Sequence, residues 1–106
     1  MKVYLTQSVA LIKATITQND MAHSPAVSTK ITIWTPDSDG DAAHITKTID
    51  GVSMTESSTG VYTYNFPTST ESAGIYSVMV VGTESTTAPM EITREDGEFE
   101  LKSYPG

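Results

Sequence analysis

The 106-residue sequence contains no cysteine, which excludes disulfide bonds and thiolate metal ligands. It also has little positive charge: six lysines and arginines stand against thirteen aspartates and glutamates, for a formal net charge of −7. Such a charge repels phosphate backbones and anionic surfaces, so we expect no direct nucleic-acid or membrane partner. No apolar run is long enough for a membrane span or a signal-peptide core. The chain as written therefore shows no export address of its own.

Sustained helical periodicity is also missing, and an alternating pattern takes its place. The two clearest runs are Gly60 to Phe66 and Gly74 to Val81. Each opens on a glycine and then carries a large apolar or aromatic residue at every second position, as a strand with one buried face does. We expect the core to contain Tyr62, Tyr64, Phe66, Tyr76, Val78 and Val80, packed against Ile12, Ile16, Ile31 and Ile33.

The whole pattern predicts seven or eight short strands in one all-β domain, residues 1–106. The predicted strands are Val9 to Thr17, Val27 to Thr35, Ala43 to Ile49, Val52 to Thr55, Gly60 to Phe66, Gly74 to Val81, Met90 to Ile92 and Glu98 to Leu101. Tight turns are predicted at Asp50-Gly51 and Asp96-Gly97, because Asp-Gly favours two-residue hairpins. The 8 to 12 residue spacing is that of an antiparallel Greek-key β-sandwich.

The strongest metal candidate is the acidic segment with Asp37, Asp39 and Asp41. Three closely spaced carboxylates offer hard oxygen ligands for calcium. The EF-hand pattern fails, however, because Ala42 stands where glycine is needed and Thr48 where a bidentate glutamate belongs. We therefore interpret the segment as a solvated acidic turn and predict no metal and no cofactor.

Catalytic patterns are equally weak. His23 and His44 have no acidic or histidine neighbour at ligand spacing, so we expect surface polar side chains. Glu98 and Glu100 share one strand face opposite Phe99, where we expect them to face solvent rather than to form a catalytic pair. The sequence contains no Gly-rich phosphate loop and no complete nucleophile elbow. We predict that the protein is not an enzyme.

A second apolar face is the clearest hint of a partner. Ile75, Met79 and Val81 alternate with the core set of their strand, and Trp34 is likewise out of phase with its own strand. Val9 and Leu11 behave in the same way. The solvent side of a sheet is usually polar, so two explanations remain open. Either the polar segment Gly82 to Pro89 and the termini cover this face, or another protein chain does.

The strand patterns and turn glycines resemble the immunoglobulin-like β-sandwich modules of microbial and viral surface proteins. The segments that carry the resemblance are Val9 to Thr17, Ile31 to Asp37, Thr59 to Phe66, Ala73 to Val80 and Glu98 to Leu101. The pattern is also similar to that of small structural proteins of tailed bacteriophages. The resemblance implies an Ig-like fold and supplies no catalytic residues.

Two function classes follow. The first is a virion component, such as a head-to-tail connector, head-closure or decoration subunit, that binds other capsid or tail chains in a homo- or hetero-oligomer. The lack of a signal peptide favours it, because lysis releases virions without secretion. The second is an Ig-like spacer or adhesion module of an exported cell-surface protein, whose native chain would continue on both sides. In either case the expected contacts are Trp34, Ile75, Met79 and Val81, or an unpaired sheet edge.

Overall fold

In the computed structural model, residues 2–6, 9–18, 20–84 and 92–103 are described, with the backbone alone for 92–95. These residues form ten strands: β1 (Lys2–Leu5), β2 (Val9–Thr15), β3 (Thr17–Gln18), β4 (Met21–Ala22), β5 (Ser28–Trp34), β6 (Lys47–Ser53), β7 (Thr55–Ser58), β8 (Val61–Pro67), β9 (Gly74–Thr83) and β10 (Ile92–Lys102). The all-β prediction is confirmed. Within the described residues, no helix has the length and hydropathy that a membrane crossing requires.

The strands form two main sheets and one short hairpin. The larger sheet has the order β1-β10-β9-β5-β6, and the smaller has the order β2-β8-β7. Strands β3 and β4 pair only with each other. Rings from both sheets meet in the core, where Phe66 of the smaller sheet contacts Tyr76 and Phe99 of the larger one, each with ring centroids 5.8 Å apart. The architecture is thus sandwich-like.

Strand alternation determines which side chains enter this core. In β2 the burial pattern alternates strictly between exposed odd residues and buried even residues. Every residue that was predicted to face the core does so, although Tyr64 is only partly buried. The buried apolar set comprises Ala10, Ile12, Ala14, Ile16, Ile31, Ile33, Met54, Tyr62, Phe66, Tyr76, Val78, Val80, Phe99 and Leu101.

The predicted turn at Asp96-Gly97 is wrong, because both residues lie inside the continuous strand β10. Asp96 pairs with Met79 and Gly97 with Val78 in a regular antiparallel ladder. Asp-Gly favours a turn only where glycine adopts a left-handed conformation, and Gly97 does not. The first residues of the predicted Met90 to Ile92 strand lie outside the described residues, and β10 begins at Ile92.

The predicted turn at Asp50-Gly51 is also wrong, because β6 runs through it as a bulge. Ile33 pairs with Ile49 and Ile31 with Val52, so two residues of β6 oppose a single residue of β5. Gly51 has a left-handed φ of 63°, and its N–H donates to Thr32 Oγ1 at 3.1 Å. The Asp-Gly signal therefore identified the correct backbone conformation but the wrong structural context.

Three other boundaries differ from the sequence prediction. Residues 43–46 are a loop, so the predicted strand from Ala43 starts late, at Lys47. The predicted polar connection Glu56 to Thr59 lies mostly in β7, which pairs with β8. Strand β1 was not predicted, and it pairs parallel with β10, so the larger sheet is mixed rather than wholly antiparallel.

Candidate interaction surfaces

The outer side of the larger sheet carries the four residues predicted to contact a partner. We call Trp34, Ile75, Met79 and Val81 the Trp34 face. The last three belong to β9 and alternate with its buried core residues, and all four side chains are half-buried. Because they lie on the side of the sheet away from the sandwich core, something other than the smaller sheet must reduce their exposure.

Part of that cover comes from the loop between β5 and β6. The His44 ring packs on Trp34, with centroids 4.4 Å apart, and Lys47 Nζ lies 6.0 Å from the centre of the same indole. Ala42, Ala43 and His44 line a shallow recess with Ser77 and Glu98 of the sheet.

This loop supplies a cover that neither of the two sequence-based explanations included. It also lies beside Ser77, which is on the outer side of the sheet and only 3% exposed. Most of the segment Gly82 to Pro89, the alternative cover, lies outside the described residues. Whether a second chain completes the cover over Met79 and Val81 stays a prediction.

A second apolar surface is more exposed than the Trp34 face. Strands β1 and β2 present four exposed aliphatic side chains, which we call the β1–β2 strip. Val9 and Leu11, 57 and 49% exposed, lie on the outer side of the smaller sheet, and Val3 and Leu5, 51 and 38% exposed, lie on the side of the larger sheet that also carries Ile75. Val9 and Leu11 face outward, as their phase predicted. The sequence analysis missed Val3 and Leu5, although the alternation Lys2-Val3-Tyr4-Leu5 carries the signal. Val9 and Leu11 are neighbours on one face of β2 and form the continuous part of this surface, which another chain could cover.

A cleft of about 200 Å³ lies at this side of the sandwich. Its apolar walls come from both sheets, and Lys2 and Lys13 together with Asp96 and Glu98 line it as well. Small-molecule sites are typically about 300–1,000 Å³. The cleft is therefore better explained as a gap between two sheet edges than as a cofactor site.

The acidic loop after β5 is organised by its own backbone. Asp37 Oδ1 accepts hydrogen bonds from the N–H groups of Asp39 and Asp41, each at 2.9 Å. All three carboxylates are exposed, with one oxygen from each lying within 4.8 Å of the others. The first aspartate thus stabilises a turn, as Asp commonly does. The absence of a metal stays a prediction.

The end of the sandwich at β4 and β9 holds a polar cluster that sequence spacing could not reveal. His23 Nε2 lies 2.5 Å from Glu84 Oε1, although the two residues are 61 positions apart. Ser24 donates to Glu56, and the Gly60 N–H donates to Ser24 Oγ at 3.0 Å. Glu84 also accepts from the backbone N–H of Ala26 at 3.3 Å. These contacts join loops and strand ends, so His23 is a half-buried residue that helps to hold them together rather than the surface polar side chain that we expected.

Tyr76 has the largest pKa shift among the described side chains. Burial, reinforced by the negative charge of Glu71, raises the pKa of Tyr76 to about 12, and the hydrogen bond to Ser72 opposes this only in part. The Tyr76 hydroxyl donates to Ser72 O at 2.7 Å. Burial likewise raises the pKa of Tyr4. In both tyrosines burial favours the neutral phenol, so the raised pKa values are explained by core packing rather than by acid–base chemistry.

Glu98 and Glu100, the carboxylate pair of β10, lie on its outer side, with Glu98 exposed and Glu100 half-buried. Phe99 and Leu101 between and beside them are buried, as predicted.

Comparison with protein-family models, curated proteins and solved structures gave no match to this chain. The function must therefore be argued from the two apolar surfaces.

Proposed function

We propose that this protein is a non-catalytic assembly subunit that binds other protein chains. The observation that carries the proposal is the β1–β2 strip, where Val9 and Leu11 remain 57% and 49% exposed on the outer side of a sheet. The Trp34 face adds half-buried apolar residues on the other sheet. Two sheets with apolar outer surfaces suit a subunit that is covered by neighbours on more than one side.

The finer assignment is an Ig-like Greek-key sandwich that serves as a virion component. Its support is the resemblance of the strand pattern to such modules, together with the sandwich-like pairing of the two sheets. The net charge of −7 would keep free subunits soluble before they dock. In this role the chain is a head-to-tail connector, head-closure or decoration subunit.

The alternative is an Ig-like spacer or adhesion module of a cell-surface protein. The same fold and the same apolar surfaces would then contact neighbouring domains or a receptor. The two roles differ in where the chain is found. A virion subunit sediments with particles after lysis of the producing cells, whereas a surface module is cleaved by protease added to intact cells.

Charge placed on the Trp34 face tests the assembly role directly. Met79→Lys or Val81→Lys puts an ammonium group where a neighbouring chain would pack, so we expect the variant to be lost from the assembled particle or surface fraction. The folded state should persist, because both side chains lie outside the core. The measurement is the amount of the chain that co-sediments with the assembly.

Ser69→Lys is the matched control, since Ser69 is an exposed turn residue after β8. It introduces the same charge and should leave incorporation unchanged. Normal incorporation of Met79→Lys and Val81→Lys, with melting temperatures equal to that of the unmodified chain, would remove the Trp34 face from the proposal.

A further inference from the structure

Strand β10 is covered by β1 along only part of its length. Strand β1 pairs with Phe99 to Lys102, whereas β10 begins at Ile92 and pairs with β9 from there to Leu101. Among the residues that the structure describes, no strand lies beside the N-terminal part of β10 on the side away from β9. The larger sheet therefore has an open edge along residues 92–98, in line with the start of β1.

The direction of the backbone groups at this edge follows from the pairing with β1. The Thr6 N–H donates to Lys102 O at 2.8 Å, so the polar backbone groups of Lys102 point towards β1. These groups alternate in direction along an extended strand, and the pairing of β10 with β9 has no register shift. The N–H groups of Glu98 and Arg94 therefore point to the open side, whereas that of Gly97 points to β9.

A missing side chain opens the core behind this edge. Gly97 has the same phase as Phe99 and Leu101, which are buried in the core, and it pairs with the buried Val78. A Cβ atom at Gly97 would meet nothing within 4 Å. The cleft of about 200 Å³ lies here, and its apolar walls include Ile12, Ala14, Val78, Val80 and Phe99. The sandwich thus has room for a side chain that none of the described residues supplies.

The volume and position of the cleft suit an apolar side chain from an extended strand. An apolar cavity of about 150 Å³ holds a benzene molecule, so the cleft can hold the side chain of a leucine or a phenylalanine. Strand β1 shows how such a side chain enters, because the Tyr4 ring projects from this edge strand and packs edge-on against Phe99 at 5.8 Å. An extended segment in line with β1 would present its own side chain to the cleft in the same way.

Charge at the edge favours a basic segment of another protein over a second copy of this chain. Asp96 and Glu98 lie on the outer side of β10, and both are exposed. Lysine or arginine side chains on the outer face of a neighbouring strand would lie beside these carboxylates and attract them. Lys2 and Lys13 line the cleft, where they disfavour a basic side chain on the inner face. Two copies with a net charge of −7 would repel each other.

We propose that the open edge of β10 binds an extended segment of another protein by strand addition. The segment continues the line of β1, forms backbone hydrogen bonds along residues 92–98 and inserts one apolar side chain into the cleft at Gly97. Its outer side chains are basic and lie beside Asp96 and Glu98. In strand addition the main chain supplies affinity and alternate side chains supply specificity. The site goes beyond the proposed function, because the cleft opens on the inner side of the sheet and not on the Trp34 face.

The test uses the purified chain and synthetic heptapeptides, so it is independent of any assembly. The probe peptide has lysine at its odd positions, leucine at its centre and threonine at the two remaining positions. The control peptide has serine at its centre and therefore the same charge. Isothermal titration calorimetry should show that the leucine peptide binds at least about tenfold more tightly, because only its central side chain gains from burial in the cleft.

Two pairs of substitutions separate the filling of the cleft from the charge at the edge. Gly97→Leu fills the cleft from within, so the leucine peptide should bind at least about tenfold more weakly, whereas Thr55→Leu on the exposed strand β7 should leave binding unchanged. Glu98→Gln should weaken binding of both peptides, whereas Asp50→Asn, which removes an exposed carboxylate from β6, should not. Thermal melts check that each variant is folded.

Amide hydrogen exchange locates the bound peptide on the unmodified chain. Saturating leucine peptide should slow exchange at the Glu98 and Arg94 amides by about tenfold or more, whereas the Gly97 amide should already be slow without peptide. Any of four results would overturn the proposal: no binding of the leucine peptide or equal binding of both peptides, undiminished binding to a folded Gly97→Leu variant, no change at the Glu98 amide, or protection of that amide in the chain alone.

Discussion

Tyr76 is the residue on which the core depends most. Its side chain is 0% exposed, its ring stacks on Phe99 with centroids 5.2 Å apart, and Phe66 meets it edge-on at 5.8 Å. Its hydroxyl is satisfied by Ser72 O. One side chain thus links two strands of the larger sheet, the smaller sheet and the turn before β9. Tyr64, by contrast, is only partly buried, so the two tyrosines allow burial to be compared within one chain.

Truncation of these two tyrosines should have unequal effects. We expect Tyr76→Ala to lower the free energy of unfolding by about 3–5 kcal/mol, because it removes a fully buried aromatic ring. Tyr64→Ala should cost clearly less, since part of its surface is already in water. Urea denaturation of both variants measures the difference. Equal losses, or an unchanged stability for Tyr76→Ala, would contradict the assigned strand phase.

High pH should destabilise the protein through the same residue. The pKa of Tyr76 rises from 10.0 to about 12 on folding, so its contribution is complete below pH 10 and is lost as the pH rises through about 12. A shift of this size corresponds to a contribution on the order of 2–3 kcal/mol. Tyr76→Phe should lose this part of the pH dependence. Urea midpoints of both proteins across this range provide the comparison, and parallel pH profiles would argue against the shift.

At the entry into β8, the backbone of Gly60 is closely packed against the β3–β4 region. Gly60 adopts a φ of 73°, and its N–H donates to Ser24 Oγ while its carbonyl accepts from Ile16. A Cβ atom here would lie 2.7 Å from both His23 N and Ile16 O. The glycine is therefore required twice, once for its left-handed conformation and once for the close approach of the β3–β4 hairpin region.

Three glycine-to-alanine substitutions should separate these two requirements. Gly60→Ala combines a left-handed φ with a steric clash and should cost more than about 2 kcal/mol. Gly51→Ala has the left-handed φ of 63° but open space around it, so about 1–2 kcal/mol is expected. Gly97 has neither restriction, and Gly97→Ala should change stability by no more than about 1 kcal/mol. Any other order of the three melting temperatures would contradict the backbone described here.

Considered as a whole, the sandwich is bridged at one side by strand β1. Strand β1 pairs with β10, so Lys2 lies beside Phe99 despite the full length of the chain between them. The Tyr4 ring packs edge-on against Phe99 at 5.8 Å, and its hydroxyl reaches across to β2. A single side chain therefore connects the edges of the two sheets. Pairing between segments so distant in the sequence forms slowly, because closing the long loop between them costs conformational entropy.

Loss of this connection should weaken the whole molecule. We expect Tyr4→Ala to reduce the free energy of unfolding by about 1–3 kcal/mol, less than a fully buried aromatic because Tyr4 is only half-buried. Val3→Ala is the control, since Val3 is on the same strand and 51% exposed. It should change stability by no more than about 0.5 kcal/mol. Equal effects of the two substitutions would show that β1 does not stabilise the closed sandwich.

The alternating pattern of the sequence is enough to predict which face of β2, β8 and β9 enters the core. Large apolar residues occupy every second position of β2, β8 and β9. When one face of such a strand is buried, only one of its two possible orientations puts these residues in the core. This pattern predicts that Trp34, Met79, Val81, Val9 and Leu11 lie outside the core, and none of them belongs to the buried core in the structure. The buried face of these strands is therefore predictable, because side-chain direction is a local property of an extended backbone.

How those strands connect, and what covers them, depends on tertiary contacts. Asp50-Gly51 became a bulge and Asp96-Gly97 an ordinary part of a strand, because long ladders with β5 and β9 outweigh the turn preference of a dipeptide. The packing of His44 on Trp34 and the contact of His23 with Glu84 join residues whose spacing carries no signal. Pairing partners depend on contacts between distant segments, and local propensity contains no information about them.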